Sequence, residues 1–421
     1  MLDLKFIREN AESVQRAIAN KNEVDCVDEL LRLDTRRREI IAEVEALKHE
    51  KNVASENVAK TKRAGGDAAD AILALRVVSD RTQTLDESLR QVEEQILQLQ
   101  LRIPNMPHPD VPIGDESANR DIRSWGERPE FAFKPAPHWE LGEALGIYDG
   151  AAGTNVSGSG FFALRGAGAK MQRALINFML DRHTAHGYIE HRLPYLVTAR
   201  AMQGTGQLPK LAEDMYHIEA NDMYLIPTAE VPLTNLNAGS IIPADQLPQR
   251  AVAYTPCFRR EAGAHGKDTR GMIRVHQFDK VELVKIVEPD RSCDELEMLV
   301  ADAEAILQAL RLPYRVRLLA TGDLSFAAAK CYDLEVYAAG VDTWLEVSSC
   351  SNFVDFQARR MNLRARPKGG GKPFFPHTLN GSGLALPRTM IAIWENYQTP
   401  KGTIKVPDVL VPYMGGQTEI A

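Results

Sequence analysis

The sequence predicts an α+β protein: an N-terminal antiparallel helical coiled-coil hairpin, then a larger domain with a mostly antiparallel β-sheet flanked by helices. Three observations predict it. Two heptad series fill the N-terminal quarter, a proline-dense segment follows them directly, and short β-rich runs with short connections occupy most of the rest. The expected bounds are 1–103 for the helical arm, 104–120 for a linker and 121–421 for the second domain.

The arm comes first. From Leu30, steps of three and four reach Leu33, Arg37, Ile40, Val44, Leu47, Lys51, Ala54, Val58 and Thr61, a mostly apolar seam. Arg63-Ala64-Gly65-Gly66-Asp67 is a turn by composition. A second series runs through Leu75, Val78, Thr82, Leu85, Leu89, Val92, Ile96, Leu99 and Ile103. Two such helices joined by a short glycine turn fold back on each other, each roughly 50 Å long at the helical rise. A shorter amphipathic helix over 3–19 is expected to pack at the base. Basic residues stud the first arm helix (Arg36, Arg37, Arg38, Lys48, Lys51, Lys60, Lys62, Arg63), with Glu39, Glu43, Glu45, Glu50 and Glu56 among them. Such a face suits either solvent, with i,i+4 ion pairs, or an RNA backbone, and charge alone does not decide.

The linker is defined by Pro104, Pro107, Pro109 and Pro112, which forbid a continued helix. Beyond it, β-rich runs are expected at 223–226, 251–254, 274–287, 314–319, 332–336 and 343–347, with helices at 169–187, 290–310 and 386–397. Most connections are too short for repeated βαβ crossovers, hence the antiparallel sheet.

Composition narrows the class. A chain of 421 residues exceeds the usual single domain, and 44% hydrophobic with 25% charged residues is ordinary for a globular protein. The charged start MLDLKFIREN does not read as a secretory signal, and no apolar run is long enough for a membrane span. Cys26, Cys257, Cys293, Cys331 and Cys350 are scattered and form no C-x-x-C pair, which argues for a reducing cytoplasm over a disulfide or zinc framework. The net charge of −7 does not exclude a local basic patch.

The usual nucleotide and hydrolase signatures are missing: no Walker A loop, no G-x-G-x-x-G behind a strand, no H-E-x-x-H, no G-x-S-x-G. A different constellation is present. Phe258-Arg259-Arg260-Glu261 follows an apolar strand, a glycine- and charge-rich loop spans 262–271, and a second strand returns over 272–287. Strand alternation puts Arg259 with Glu261 on one face, and Arg274, His276, Phe278, Lys280 and Glu282 on one face of the return. So many polar groups around one aromatic ring suit a binding-site wall for a nucleoside triphosphate: guanidinium for phosphate, ring for base. Asn380-Gly381-Ser382-Gly383-Leu384-Ala385-Leu386-Pro387-Arg388 leads into a helix with proline at its first turn. An arginine at a helix start gains nothing from the macrodipole, so Arg388 suggests an anionic ligand.

Here a resemblance becomes specific. The F-R-x-E hairpin and the G-x-G-x-x-x-R helix resemble motifs two and three of class II aminoacyl-tRNA synthetases, and Gly187-Tyr188-Ile189-Glu190-His191-Arg192-Leu193-Pro194 resembles their dimerisation motif. Within that class the chain is similar throughout to the seryl-tRNA synthetase family. The runs 204–210, Thr228-Ala229-Glu230, 265–271 and Glu346-Val347-Ser348-Ser349-Cys350-Ser351-Asn352 carry the likeness, with the arm and linker.

The resemblance implies ATP-dependent activation of L-serine and its transfer to tRNA(Ser), with tRNA(Sec) as a further acceptor, by a cytoplasmic homodimer using Mg²⁺. It implies that Thr228 and Glu230 hold the serine amino group, that Ala229 belongs to the same serine-binding set, that Glu282 accepts the serine hydroxyl, and that Ser382 lines the same pocket. A buried acceptor built for a hydroxyl rejects analogues lacking one. Arg259 would bridge serine carboxylate and α-phosphate, Glu261 read the adenine amino group, Phe278 stack on the ring and Arg388 grip the γ-phosphate. Arg260, Val275, Val347 and Ser348 join the implied ATP-contacting set, and Glu346 and Ser349 are the implied magnesium ligands. Because Glu346 and Ser349 lie three apart, a regular strand would face them oppositely, so a bend or strand end is expected there. Arg36, Arg37, Lys48, Lys51 and Lys60 are the implied tRNA contacts of the arm. Two rivals lose weight: a carrier-protein or free-amino-acid ligase would have little use for the arm, and a non-catalytic scaffold would not keep Arg259, Glu261, Glu346 and Arg388. Pro387 departs from the family's usual glycine before the motif-three arginine, which bears on backbone approach to the nucleotide and on sensitivity to adenylate mimics.

Overall fold

The computed structural model describes residues 1–262 and 270–421; most of the family-like run 265–271 lies outside the described residues. Two compact units form, one of Leu2–Pro104 and one of Met1 with Asn105–Ala421.

In the first unit, α1 (Leu4–Glu9) and α2 (Ala11–Asn20) precede the long helices α3 (Val27–Arg63) and α4 (Ala69–Gln100). The one helix expected over 3–19 is therefore two. Asn10 leaves helical geometry between them, and its side-chain amide donates to the Phe6 carbonyl at 3.0 Å, offering the backbone an alternative to the helix. The heptad seam is seen in the packing: Ile40 and Val44 of α3 bury against Leu85 of α4, with Leu47, Leu89 and Val92 beside them. The turn between the helices puts Gly65 at φ +76°, where a side chain would be strained.

One buried group falls one position off that seam. Asp34 has no exposed surface, and Arg8 at 2.7 Å, Arg37 at 2.9 Å and Arg38 at 3.4 Å surround its carboxylate. A buried carboxylate requires such partners, and Arg8 thereby ties α1 to α3.

The second unit is built on one sheet. In chain order its strands are β1 (Arg120–Trp125), β2 (Ile189–Glu190), β3 (Gln249–Phe258), β4 (Gln277–Val287), β5 (Tyr314–Leu318), β6 (Lys330–Ala338), β7 (Thr343–Asn352) and β8 (His377–Ala385). Their spatial order is β1-β5-β6-β7-β8-β4-β3-β2. Every pairing is antiparallel except β2 with β3. The helices that concern the site are α5 (His138–Ala144), α6 (Ala167–Ala185), α7 (Glu230–Asn235), α8 (Ser292–Ala309), α9 (Phe356–Met361) and α10 (Leu386–Asn396). The largest apolar core joins α6, α8 and α10 to the sheet through Met179, Leu299, Ile306, Ile391 and Trp394 against Val281, Leu283, Leu334 and Val336. On β4, Val281 and Leu283 point into that core, which leaves the alternate residues Phe278, Lys280 and Glu282 for the opposite face.

Two bulges interrupt the sheet. Between β6 and β7 the register passes from Leu334↔Ser348 to Glu335↔Glu346, so Val347 is the extra residue. Between β4 and β8 it passes from Lys280↔Ala385 to Glu282↔Ser382, the surplus lying in Gly383 and Leu384. A bulge re-aims the side chains around it, and both bulges sit beside the cavity described next.

Candidate active site

A cavity of about 700 Å³ opens over β4, β7 and β8. Thr228, Glu230, Arg259, Glu261, Val275 and Phe278 line it, as do Glu282, Glu346, Val347, Ser349, Ser382 and Arg388. Three expected residues stand behind or beside the wall. Ala229 is fully buried. Ser348 turns inward and donates to the Ser382 carbonyl at 2.6 Å. Arg260 donates to the Glu213 carbonyl at 3.1 Å and is not part of the wall, because β3 ends at Phe258 and alternation sends it away from its neighbours.

One end of the cavity collects carboxylates. Glu282 is completely buried; Lys280 Nζ lies 2.6 Å away, Asn380 donates at 2.9 Å and Ser382 Oγ at 3.4 Å. A carboxylate offers about four acceptor sites, so roughly one remains. Lys280, Asn380 and Ser382 thus already satisfy most of Glu282, and loss of a ligand hydroxyl does not strand it. Glu230 accepts from Gln357 of α9 at 2.7 Å. Burial, and then the nearby Glu282 charge, push its carboxyl up to about 7.

Thr228 and Glu230 reach the cavity by a route that alternation did not anticipate. No strand runs through 227–229; the chain turns into α7, and Thr228 Oγ1 accepts the Glu230 N–H at 3.2 Å. Pro232 in the first turn of α7 is tolerated there, whereas a ladder would lose a donor.

Elsewhere on the wall stand two arginines, Arg259 and Arg388, and an aromatic ring. The Arg259 guanidinium lies 5.1 Å from the Phe278 ring centroid. Glu261 pairs with Arg274 at 2.7 Å and holds φ +50°, so it is placed by a turn and not by continuation of β3. On the return side the strand starts at Gln277, not at 272, so Arg274 and His276 precede it. Arg274 still lines the cavity; His276 instead packs on Phe161 and Gly160, a departure from the one-face expectation. Arg388, in the first turn of α10, donates to the Ile273 carbonyl at 3.1 Å and the Glu346 carbonyl at 2.8 Å. Pro387 is buried against the same wall.

Glu346 and Ser349 both reach the cavity because the Val347 bulge shifts their register within one continuous strand. Carboxylate and hydroxyl oxygens are hard donors, and a site with one or two protein ligands and room for phosphate oxygens suits Mg²⁺ better than a softer metal. Among the described residues no cluster of three or more His, Cys, Asp or Glu forms a self-sufficient metal cage. Cys257 is buried, with burial raising its thiol, which makes it a packing residue and not a nucleophile.

Sequence reasoning misses three residues around Glu230 and Glu282. Alternation puts Lys280 on the cavity face but gives it no role. Asn380 stands two positions before Ser382 in a run already singled out. Gln357 had no signal, since α9 brings it in from far along the chain.

In the arm the basic residues differ. Arg36 pairs with Glu39 at 3.4 Å, Arg37 with Asp34, and Lys48 with Asp86 of α4 at 3.9 Å. Lys51 and Lys60 are exposed, and no ion pair to them appears among the described residues.

Comparison with known proteins adds the following. Residues 1–107 match the family model for a seryl-tRNA synthetase N-terminal domain, and residues 215–397 that for a tRNA synthetase class II core domain (G, H, P, S and T). The chain is 55% identical to a serine–tRNA ligase of Thermomicrobium roseum, covering 100% of this chain and 95% of the relative. It is 51% identical to one of Geobacter sulfurreducens over the whole of both. A seryl-tRNA synthetase from Pyrococcus horikoshii, solved with ATP, superposes with a TM-score of 0.95 at 38% identity, covering 100% of this chain and 99% of that one.

Proposed function

The chain belongs to the seryl-tRNA synthetase family, and we propose that its cavity seats L-serine at the carboxylate end and ATP at the cationic end. It is an ATP-dependent serine–tRNA ligase, releasing AMP and pyrophosphate. The observation that carries the division of the site is that two buried carboxylates, Glu230 and Glu282, share one cavity with Arg259 and Arg388.

In this assignment Glu230 and Thr228 take the serine ammonium. An ammonium beside Glu230 favours its ionised form, so amino-acid binding itself charges the group that binds it. Glu282, oriented by Lys280, Asn380 and Ser382, gives its remaining acceptor site to the serine hydroxyl. Alanine forgoes that one charge-assisted bond, about 1.5–3 kcal/mol, without leaving an orphaned carboxylate. At the other end Arg259 leaves the Phe278 face to adenine and turns to the α-phosphate and the serine carboxylate. Glu261 accepts from the adenine amino group, and Arg388 holds the γ-phosphate.

The serine carboxylate oxygen attacks the α-phosphorus in line, the bond to the β-phosphate oxygen breaks, and pyrophosphate departs. The terminal ribose hydroxyl of the tRNA then takes the acyl group from the adenylate. No protein nucleophile is needed: Arg259 and Arg388 align the reactants and neutralise charge that grows in the transition state. Mg²⁺, when held by Glu346 and Ser349, supplies further charge neutralisation on the phosphates.

tRNA(Ser), and tRNA(Sec) where it exists, would lie along the arm, with Lys51 and Lys60 its free cations. Support for a homodimer comes from β2, one of the two edge strands, whose Ile189 is 65% exposed. Leu196, Leu236 and Ile241 are also exposed in this unit. Cytoplasmic residence is supported by five free cysteines, and no helix among the described residues is long and apolar enough to cross a membrane. Serine-dependent ATP–pyrophosphate exchange, abolished in Arg259→Ala, tests the site assignment; exchange undiminished in that variant would refute it.

A further inference from the structure

The wall between Glu261 and Arg388 is formed by Met272, Ile273, Arg274 and Val275, all lining the cavity, yet the β3–β4 ladder begins only at Gln277. Something other than sheet pairing must fix these residues. Met272 packs into the apolar core and Arg274 pairs with Glu261, and a further anchor is a buried pair from remote parts of the chain. His138, at the start of α5, and Glu395, near the end of α10, are both completely buried.

Glu395 Oε1 accepts the His138 backbone N–H at 2.9 Å and lies 2.8 Å from His138 Nδ1. Its Oε2 accepts the N–H groups of Gly340 at 2.8 Å and Val341 at 3.1 Å. Because Nε2 faces a backbone N–H, that nitrogen keeps its lone pair and Nδ1 carries the ring hydrogen toward Glu395. That lone pair accepts the Met272 N–H at 3.0 Å. Gly271 makes the approach possible: it sits at φ +69°, and a Cβ there would fall 2.0 Å from Nε2. Next door, Arg270 stacks on Trp139, 5.2 Å from its ring centroid.

We infer that His138, with its tautomer set by Glu395, is a positioning residue for the nucleotide: by accepting the Met272 N–H it holds the wall that carries the Ile273 carbonyl, and through that carbonyl it holds Arg388. The inference rests on the assignment of ATP to this end of the cavity. It separates His138 from a purely structural residue, because loosening this wall disturbs ATP and leaves the serine end, built from Thr228, Glu230 and Glu282, in place.

The test uses full-length protein and two variants in ATP–pyrophosphate exchange. His138→Asn retains a donor near the Nδ1 site but cannot reach Met272; His138→Gln can place a carbonyl oxygen near the Nε2 site. Expected for His138→Asn is a KM for ATP raised about tenfold with the KM for serine changed less than about twofold, the loss of one buried acceptor. His138→Gln should recover most of it. Equal rises in both constants, no rise in either, or a Gln variant no better than Asn would overturn the proposal. Should His138→Asn fail to fold, ¹⁵N-histidine NMR of the wild type decides: Nδ1–H with an unprotonated Nε2 is required, and an Nε2–H tautomer overturns it. Wild-type protein without serine-dependent exchange would reject the site assignment instead, a result distinct from any of these.

Discussion

Glu230 makes serine binding pH-dependent in a direction the structure fixes. Its carboxyl is pushed up to about 7, by burial first and the Glu282 charge second, while the form that binds an ammonium is the carboxylate. Below that value Glu230 is mostly neutral and must lose its proton for serine to bind; above it the carboxylate is ready. When only the ionised fraction is competent, the apparent constant scales inversely with that fraction, so the KM for serine should rise about tenfold from pH 8 to pH 6. Glu230→Gln removes the titration: its KM for serine should be high at every pH and nearly flat. The assay is ATP–pyrophosphate exchange at saturating ATP and Mg²⁺ and constant ionic strength. A serine KM that does not change in the wild type, or one that rises equally steeply in Glu230→Gln, would refute the reasoning.

Other outcomes follow from the same geometry. In the arm, Lys51→Glu with Lys60→Glu should weaken tRNA charging several-fold and leave exchange untouched, a split read by comparing the two assays. Arg37→Ala should behave differently, since Arg37 is one of three arginines answering the buried Asp34: it should lower the arm's stability by about 1–3 kcal/mol in unfolding experiments. Asn380→Ala should reduce the preference for serine over alanine in exchange, because Glu282 then loses the 2.9 Å donor that orients it. Ile40→Ala in the α3–α4 seam should cost about 2–5 kcal/mol, seen as a lower midpoint in denaturant unfolding.

How much of this was legible in the sequence depends on the distance over which each signal acts. The heptad seam was readable because Leu30, Ile40, Val44, Leu85 and Ile96 repeat with the helical period, which is a local property. Asp34 was not, since its burial depends on Arg8 from another helix. Strand alternation found Phe278, Lys280 and Glu282 but failed at His276, where the chain leaves the ladder, while Glu261 joins Arg259 on the wall through a turn and not through a strand. Spacing required a break between Glu346 and Ser349, and the Val347 bulge supplies it, yet nothing local marks Val347 as the extra residue. His138, Gln357 and Glu395 were invisible for one reason: each acts on residues more than a hundred positions away, or on a partner that only the fold brings near.

Exchange across a panel of amino acids, followed by charging of purified tRNA(Ser), tests the assignment of serine and tRNA to this fold most directly. Exchange should be driven by serine, far more weakly by alanine, and be followed by serine-specific acylation of the tRNA. Exchange driven by a different amino acid would contradict the roles given to Glu230 and Glu282, and exchange without acylation would contradict the role given to the arm.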